Sequence, residues 1–587
     1  MIGDFPPAAI LIVGALFVPF FTGKAKNWYV ILLPAVAFYL ISQLHTGSSY
    51  HVHFFGFDLT LLRVDKLSKV FGYIFSMNAV AAFVYAFYLK DNTQHMAALF
   101  YVGSSLGVVF AGDVISLYFF WEVMAVASTF LILARKTEKA QKTGMRYIMV
   151  HVFGGLCLLA GIAMYIQETG SVVYDPMTER TWSTYLMLLG ILVNAAAPPL
   201  SAWLPDAYPE ATVTGGVILS AYTTKTAVYT LVRGFPGWEI LIVVGCIMTI
   251  YGIIYALLEN DMRRILAYSI INQVGFMVCG VGLGTAMALN GSVAHAFCHI
   301  IYKALLWMSA GSVLYMTGKS KCTDLGGLYK SMPLTLLFGA IGALAISSFP
   351  GTSGFTSKSL IIDGAIHQHF VWVWLVLEVA SAGVFLHAGI KFPYFVFFAK
   401  DKGLRPGETN KSMLSAMAFM AFMCIFLGVY PKPLYDILPY EVHYNAYTYR
   451  HVVGQLQLLM LSALVFFLFL KLLKRTQTIS IDTDFFYRKG GRLFYHVADK
   501  GLNGISSLCS RIFVDGLAGR LAHIAKDAPA RVILWFAVPV LLLSGSKAQA
   551  MTKKKEALRV ALRTGTVPVG IGAAVATVFL AVVFLLL

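Results

Sequence analysis

The sequence predicts an all-α, polytopic membrane protein with about 14–17 transmembrane helices. Three observations carry that prediction. Of 587 residues, 58% are hydrophobic and only 12% are charged, where a soluble domain has about 25% charged. Mean hydropathy is +0.74. Apolar runs close to the ~20 residues that cross a bilayer core recur along nearly the whole chain.

The candidate spans fall near 7–22, 28–43, 67–89, 96–112, 114–134, 147–166, 184–208, 211–232, 238–258, 264–285, 291–316, 333–366, 370–399, 412–429 and 453–474, with two more near 530–545 and 566–587. The opening run contains Asp4 and no basic stretch, so it reads as a retained first span rather than a cleaved signal. With the N-terminus placed outside, the loops that fall inside are GKAKN (23–27), RKTEKAQKTGMR (135–146), ENDMRR (259–264), GKSKCTDLGGLYK (318–330), AKDKGLR (399–405) and KLLKR (471–475). The longer loops 167–183 and 430–452 fall outside and carry fewer Lys and Arg, as the positive-inside rule requires. The net charge of +17 therefore reads as topology and headgroup contact, not as nucleic-acid binding. Residues 476–529 are mixed, basic and aromatic, and read as an amphipathic segment on the inner membrane surface.

Two spans are interrupted. Residues 184–208 contain Pro198 and Pro199, and 333–366 contain Pro350 and Gly351. Proline removes a backbone donor and clashes with the preceding turn. Such breaks are tolerated at membrane depth only where protein or a hydrated cavity satisfies the freed groups. A matched pair of interrupted helices suggests inverted repeats. The expected organisation is N-terminal helices (1–95), a first five-helix repeat (96–232), a second (238–400), further helices (411–475), and the amphipathic segment with C-terminal helices (476–587).

Charges inside spans are costly and mark ion pathways. Here they are Glu122, Lys225, His295, His299, Lys303, Lys358, Glu378, His387 and Lys391, with His151 near the inner end of the sixth span. In HAFCHIIYK (295–303) the two histidines and the lysine recur every fourth residue, so all three share one helix face over about 12 Å. Haem ligation does not suit them, since axial ligands approach opposite faces of the iron. HxxxH could chelate a metal, yet no carboxylate or cysteine completes a site nearby. The seven cysteines show no CxxC and no zinc-like spacing. A relay fits best, because histidine and buried lysine can hold and pass protons. Structural hydrogen bonding is the plainer alternative. Glu122 is expected to pair with Lys225 in the same half. Lys391 reads either as a terminal proton site or as a lysine snorkelling to the surface. GVGLGT (280–285) has nucleotide-loop spacing but ends a span, so no cofactor is expected.

The runs ENDMRRILAYSIINQVGFM, HAFCHIIYKALLWMSAGSV, LGGLYKSMPLT, SGFTSKSLI and PPLSAWLPDAYPEA, with TKTAVYTLVR, resemble the antiporter-like subunits of respiratory complex I and of Mrp-type cation/proton antiporters, over about residues 60–430. The last two lean toward the Mrp D-like branch. The resemblance implies about fourteen helices in two inverted repeats. It also implies a hydrated polar axis at the midplane, to which Glu122, Lys225, His295, His299, Lys303 and Lys358 correspond. One position departs: nine residues before Trp203, where the family usually has a lysine, this chain has Asn194. Asparagine can hydrogen-bond but cannot carry the charge. The implied function is proton translocation, with Na+/H+ antiport as its coupled form. The chain would serve as one subunit of a multi-subunit complex in a prokaryotic inner membrane, with other membrane subunits and lipid as partners. The alternatives are a membrane-arm subunit of a redox complex, whose redox chemistry belongs to partner subunits, and a scaffold that has lost transport.

Overall fold

The computed structural model describes residues 5–473, 476, 482–545, 548–561 and 569–586. Asp4, residues 474–475 and 477–481, and the start of the last expected span lie outside the described residues. The chain divides into two units, Met1–Asp484 and Phe485–Leu587. The expected change of character near 475 falls close to that boundary.

The first unit is helical apart from one hairpin. Ten described helices are long and apolar enough to cross a membrane. Pro7–Phe20, Trp182–Asn194 and Pro333–Ile346 are shorter apolar helices of the same unit. The two helices at the centre, Met262–Leu283 and Ala286–Thr317, are 100% and 94% buried over their most apolar windows. Lipid-facing helices such as Tyr449–Leu468 are 22% buried. A helix that is apolar all round and buried all round belongs to the middle of a bundle. Helices Ile240–Leu258 and Met262–Leu283 meet through glycines: a Cβ at Gly252 would lie 2.6 Å from the Asn272 amide nitrogen, and one at Gly275 2.7 Å from the Gly245 carbonyl oxygen. Small residues at such a seam let backbones approach where no hydrophobic force drives helices together in lipid.

Loops placed on one side by the crossing count touch one another. On one side Lys26 donates to the Lys90 carbonyl (2.6 Å), Arg146 to Asp206 (2.8 Å), and the Met262 amide to the Ser320 carbonyl (2.9 Å). On the other, Arg63 donates to Asp175 (2.8 Å), the Gly237 amide to the Val281 carbonyl (2.9 Å), and Asn290 to the Tyr440 carbonyl (2.8 Å). On this second side Asp65 caps helix Lys66–Tyr85 and pairs with Arg233 at 2.7 Å. Burial alone would raise the Asp65 carboxyl, but Arg233 and the Ser68 amide outweigh it and hold the group below its ordinary value.

The hairpin, Gly47–Phe54 paired antiparallel with Phe57–Val64, is an addition to the all-helical expectation. Its two-residue turn has Phe55 at φ 47° and Gly56 at φ 82°, the double positive φ of the tight turn that matches strand twist. It docks through the Thr60 amide on Asp113 (2.7 Å) and the Gly112 amide on the Thr60 carbonyl (2.9 Å).

Both proline-bearing spans are broken where expected. Trp182–Asn194 ends before Pro198 and Pro199, and helix resumes at Trp203–Ala207. Pro333–Ile346 ends before Pro350 and Gly351, and resumes at Ser353–His367. The two breaks share a hydrogen-bond pattern. Ala196 and Ala197 donate back to Val193 and Leu192, and Ser348 and Phe349 to Ala345 and Leu344. Ala196 and Ser348 both have φ near +60°. A third break was not expected: 211–232 is not continuous but splits into Val213–Leu219 and Thr223–Gly234.

Arg263 ties the first half of this unit to the second. Its guanidinium donates to the carbonyls of Pro209 (2.8 Å), Ala211 (2.9 Å) and Thr212 (3.0 Å), and lies 5.2 Å from the Trp307 ring centroid. Arg263→Met keeps the side-chain bulk but leaves those carbonyls unsatisfied. We expect a cost of about 3 kcal/mol or more, seen as earlier denaturant unfolding of the detergent-solubilised protein.

The second unit is described by itself. Helix runs through Asp484–Cys509, a π-helical stretch Ser510–Ala518, and Gly519–Leu543, followed by Ala548–Ala561 and Val569–Leu586. The amphipathic segment is thus one long helical run into which the expected span 530–545 merges. Its apolar residues, Phe485, Leu493, Phe494 and Ile505 among them, are exposed.

Candidate functional site

The expected residues gather in the most buried part of the first unit. Lys225, His295, His299, Lys303, Lys358, His387 and Lys391 are each 0–1% exposed. His295 and His299 project from one face of Ala286–Thr317, their rings 6.2 Å apart. His295 is held from two sides: Nδ1 meets Ser357 Oγ and Nε2 meets Gln273 Oε1, both at 3.1 Å. The Tyr302 hydroxyl donates to the same Gln273 oxygen (3.0 Å), and Gln273 donates to Asn272 (2.5 Å), which donates to the Thr249 carbonyl (2.8 Å). His295 is therefore the fixed node of a network across four helices.

His299 and Lys303 differ. Neither ring nitrogen of His299 nor Lys303 Nζ has a hydrogen-bond partner among the described residues. A buried polar group left so costs about 1–3 kcal/mol. Such groups can take up or release a proton without breaking a protein hydrogen bond. Lys225 lies within electrostatic reach of His295, His299 and Lys303, and Lys358 within reach of His295 and His299.

The flanking lysines share a setting that the central one lacks. Lys225 Nζ donates to the Ser220 carbonyl (2.6 Å) at the unexpected break. Lys358 Nζ donates to the Ile346 carbonyl (3.1 Å) at the end of Pro333–Ile346. Lys391 Nζ donates to the carbonyls of Ala256, Leu257 and Glu259 at 2.6–2.8 Å, at the end of Ile240–Leu258. Carbonyls at helix C-termini carry partial negative charge and stabilise an ammonium. Lys391 is fully buried, so the snorkelling alternative fails. Its amine is solvated by helix-end carbonyls instead of by water.

Glu122 and Lys225 are not brought together. Among the described residues no ion pair joins them, because Lys225 is committed to the break while the Glu122 carboxylate faces helix Glu138–Thr169. There it fills the space over Gly155: an added Cβ would lie 2.0 Å from Oε1. Gly155→Ala is accordingly expected to push the carboxylate aside and lower proton flux severalfold, with helix content unchanged by circular dichroism. One turn before Gly155 on that helix is His151, and His151 Nδ1 bonds Asn194 Oδ1 at 2.7 Å. Where a lysine was expected, the structure places an Asn–His pair. His151 is packed between Tyr147 and Trp203, ring centroids 4.2 and 4.6 Å away, and its Nε2 has no partner among the described residues. The sequence had shown a histidine in a span, but the contact joins residues 43 positions apart and has no local signature. The neutral partners Gln273, Tyr302 and Ser357 were missed for the same reason.

Among the described residues no group of His, Cys, Asp or Glu is arranged to hold a metal.

Buried lysines and histidines thus lie together beside broken helices in a polytopic membrane protein. The family model described as "NADH:quinone oxidoreductase/Mrp antiporter, TM" matches residues 111–384 of this chain. The chain is 28% identical over 71% of its length to the A/B subunit of a probable K+/H+ antiporter of Rhizobium meliloti, spanning 46% of that relative. It is 27% identical over 73% of its length to the A subunit of the Na+/H+ antiporter of Alkalihalophilus pseudofirmus, spanning 60% of it. The chain thus spans about half to three fifths of these relatives. Its fold matches the Mrp complex from a Dietzia species with TM-score 0.74 at 22% identity, covering 88% of this chain and 62% of that one. It also matches a membrane-bound sulfane sulfur reductase, an archaeal respiratory membrane complex, with TM-score 0.66 at 24% identity, covering 73% and 95%. The two antiporter relatives carry the designations A/B and A, and neither carries D.

Proposed function

We propose that this chain conducts protons along the buried row from Lys225 through His299, Lys303 and His295 to Lys358, as one subunit of a multi-subunit membrane complex that exchanges protons for a monovalent cation. The carrying observation is the contrast within the row. Outer lysines rest on helix-end carbonyls, while Lys303 and His299 at the centre have no protein partner among the described residues. A proton arriving at the centre has no strong acceptor to trap it there, and the helix ends offer defined resting positions on either side. Lys391 extends the row past His387. In the first half, the Asn194–His151 pair takes the place of the expected lysine beside Glu122, so a titratable group is present there after all.

The segments 96–232 and 238–400 are the two repeats of this reading, supported by the matching hydrogen bonds at their breaks. A D-like assignment rests on Lys225 and the TKTAVYTLVR run. The basic loops 135–146, 259–264 and 318–330 share one face, which we place at the cytoplasmic side of a prokaryotic plasma membrane, with the N-terminus outside.

The test is proton flux in proteoliposomes carrying the purified complex, with and without Lys303→Ala. Unchanged flux would overturn the reading. The second reading, a membrane-arm subunit of a redox complex, is favoured by the 95% coverage of the reductase chain. Quinone or electron-acceptor reductase activity co-purifying with the chain would decide for it.

A further inference from the structure

Beyond Lys358 lie two carboxylates that the proton row does not use. Asp363 is on helix Ser353–His367 and Glu378 on Val371–Val384. Both line an open cavity of ≈ 620 Å³, with Arg450 and His451 at the start of helix Tyr449–Leu468. Both also line a smaller inner cavity of ≈ 30 Å³, together with Lys358, Ser381 and Gln455. A species the size of water needs roughly 10–15 Å³ of such space, so the inner cavity has room for one small ion and no organic molecule. Ser381 is 1% exposed, lines that cavity, and its hydroxyl has no partner among the described residues.

We propose that the inner cavity is a monovalent-cation site, held by the Asp363 and Glu378 carboxylates and the Ser381 hydroxyl, and that its cation competes with the proton on Lys358. This rests on the reading of Lys358 as a proton-row residue. Hard cations take oxygen ligands, carboxylates first. The charge balance supplies the competition. When both are ionised the two carboxylates carry two negative charges, against Arg450 at the mouth. With Lys358 protonated the vestibule is neutral and a cation gains little. With Lys358 deprotonated one negative charge is uncompensated and a cation replaces the lost proton. One proton leaves as one cation binds, which is the elementary exchange of an antiporter.

Other titratable groups face Lys358 from the packed helices. His295 and His299 approach from Ala286–Thr317 and His387 from the π-helical stretch Phe385–Lys391. Toward the outside, His451 is engaged through Nδ1 with the Ala446 carbonyl (2.7 Å), and the Tyr444 hydroxyl is within hydrogen-bonding reach of Asp363. None of these is a second carboxylate pair, so the vestibule sign is set by Asp363, Glu378, Arg450 and Lys358.

The experiment is equilibrium binding of radioactive sodium and rubidium to the purified full-length protein at about pH 6 and about pH 8.5. Wild type should bind one of the two saturably, and about tenfold more tightly at the higher pH. Glu378→Gln and Asp363→Asn should each weaken binding about tenfold. Ser381→Ala, which alters no charge, should weaken it about threefold in a protein that still elutes as a single species. Lys358→Met should bind tightly at both pH values. Absence of saturable binding in wild type, or binding indifferent to all three oxygen-ligand variants, overturns the site. A persistent pH response in Lys358→Met overturns the competition. Lys303→Ala separates the two proposals: its flux reports on the proton row, while its cation binding is retained if the vestibule is the site.

Discussion

Lys303→Ala should lower proton flux by about 100-fold or more, the largest functional effect expected of any single substitution in this chain. The reason is positional. Lys225 and Lys358 each rest on a helix-end carbonyl, so losing one removes an end station, and water at a helix break can partly replace it. Lys303 sits at the middle of helix Ala286–Thr317, 0% exposed, with no partner among the described residues to inherit its role. In the proposed row, alanine there leaves His299 as the remaining step between Lys225 and His295. The ring of His299 is 6.2 Å from that of His295, too far for a direct hydrogen bond. The same truncation removes a buried group with no protein hydrogen bond, so unfolding should not occur sooner than in wild type. Flux lost with stability retained is the expected pair of readings. Flux lost together with stability would instead mean that Lys303 is structural.

How far the fold was legible depended on which residues announce themselves against an apolar background. The spans were readable because a bilayer demands length and apolarity at once. The breaks at Pro198–Pro199 and Pro350–Gly351 were readable because proline and glycine interrupt helices for local reasons. The break at Ser220–Tyr222 has neither, and it became visible only through the Lys225 ammonium on the Ser220 carbonyl. The hairpin 47–64 does not stand out beside apolar runs of span length, because its two strands have only eight residues each. Its alternation of apolar residues and the Phe55–Gly56 turn are nonetheless present in the sequence. The charged members of the site were readable one by one, since an ionisable residue in a span is rare. Their partners were not. Gln273, Tyr302 and Ser357 are ordinary polar residues within helices, and only packing selects them. The expected Glu122–Lys225 pair failed for the same reason: sharing a half of the molecule does not put two side chains on facing surfaces.

Asn194 is the position where sequence reasoning found a charge missing, and the structure answers with His151. If the pair carries the proton that a lysine would carry, His151→Leu should reduce flux by about 10–100-fold, because leucine fills the aromatic slot between Tyr147 and Trp203 but cannot be protonated. Asn194→Lys in that background should restore most of the loss, since it returns an ammonium to the end of helix Trp182–Asn194, whose Val193 packs on Gly154, the neighbour of the Gly155 that the Glu122 carboxylate covers. The single variant Asn194→Lys should gain little, because His151 already serves. The double variant therefore carries the information. Rescue shows that the site needs a protonatable group and is indifferent to which helix supplies it. Failure of rescue, with flux already low in His151→Leu, would mean that the ring itself is required, through its contacts with Tyr147 and Trp203. Full flux in His151→Leu would mean that protons reach Lys225 without passing this pair, and that the first half of the molecule conducts by another route or serves only as its frame.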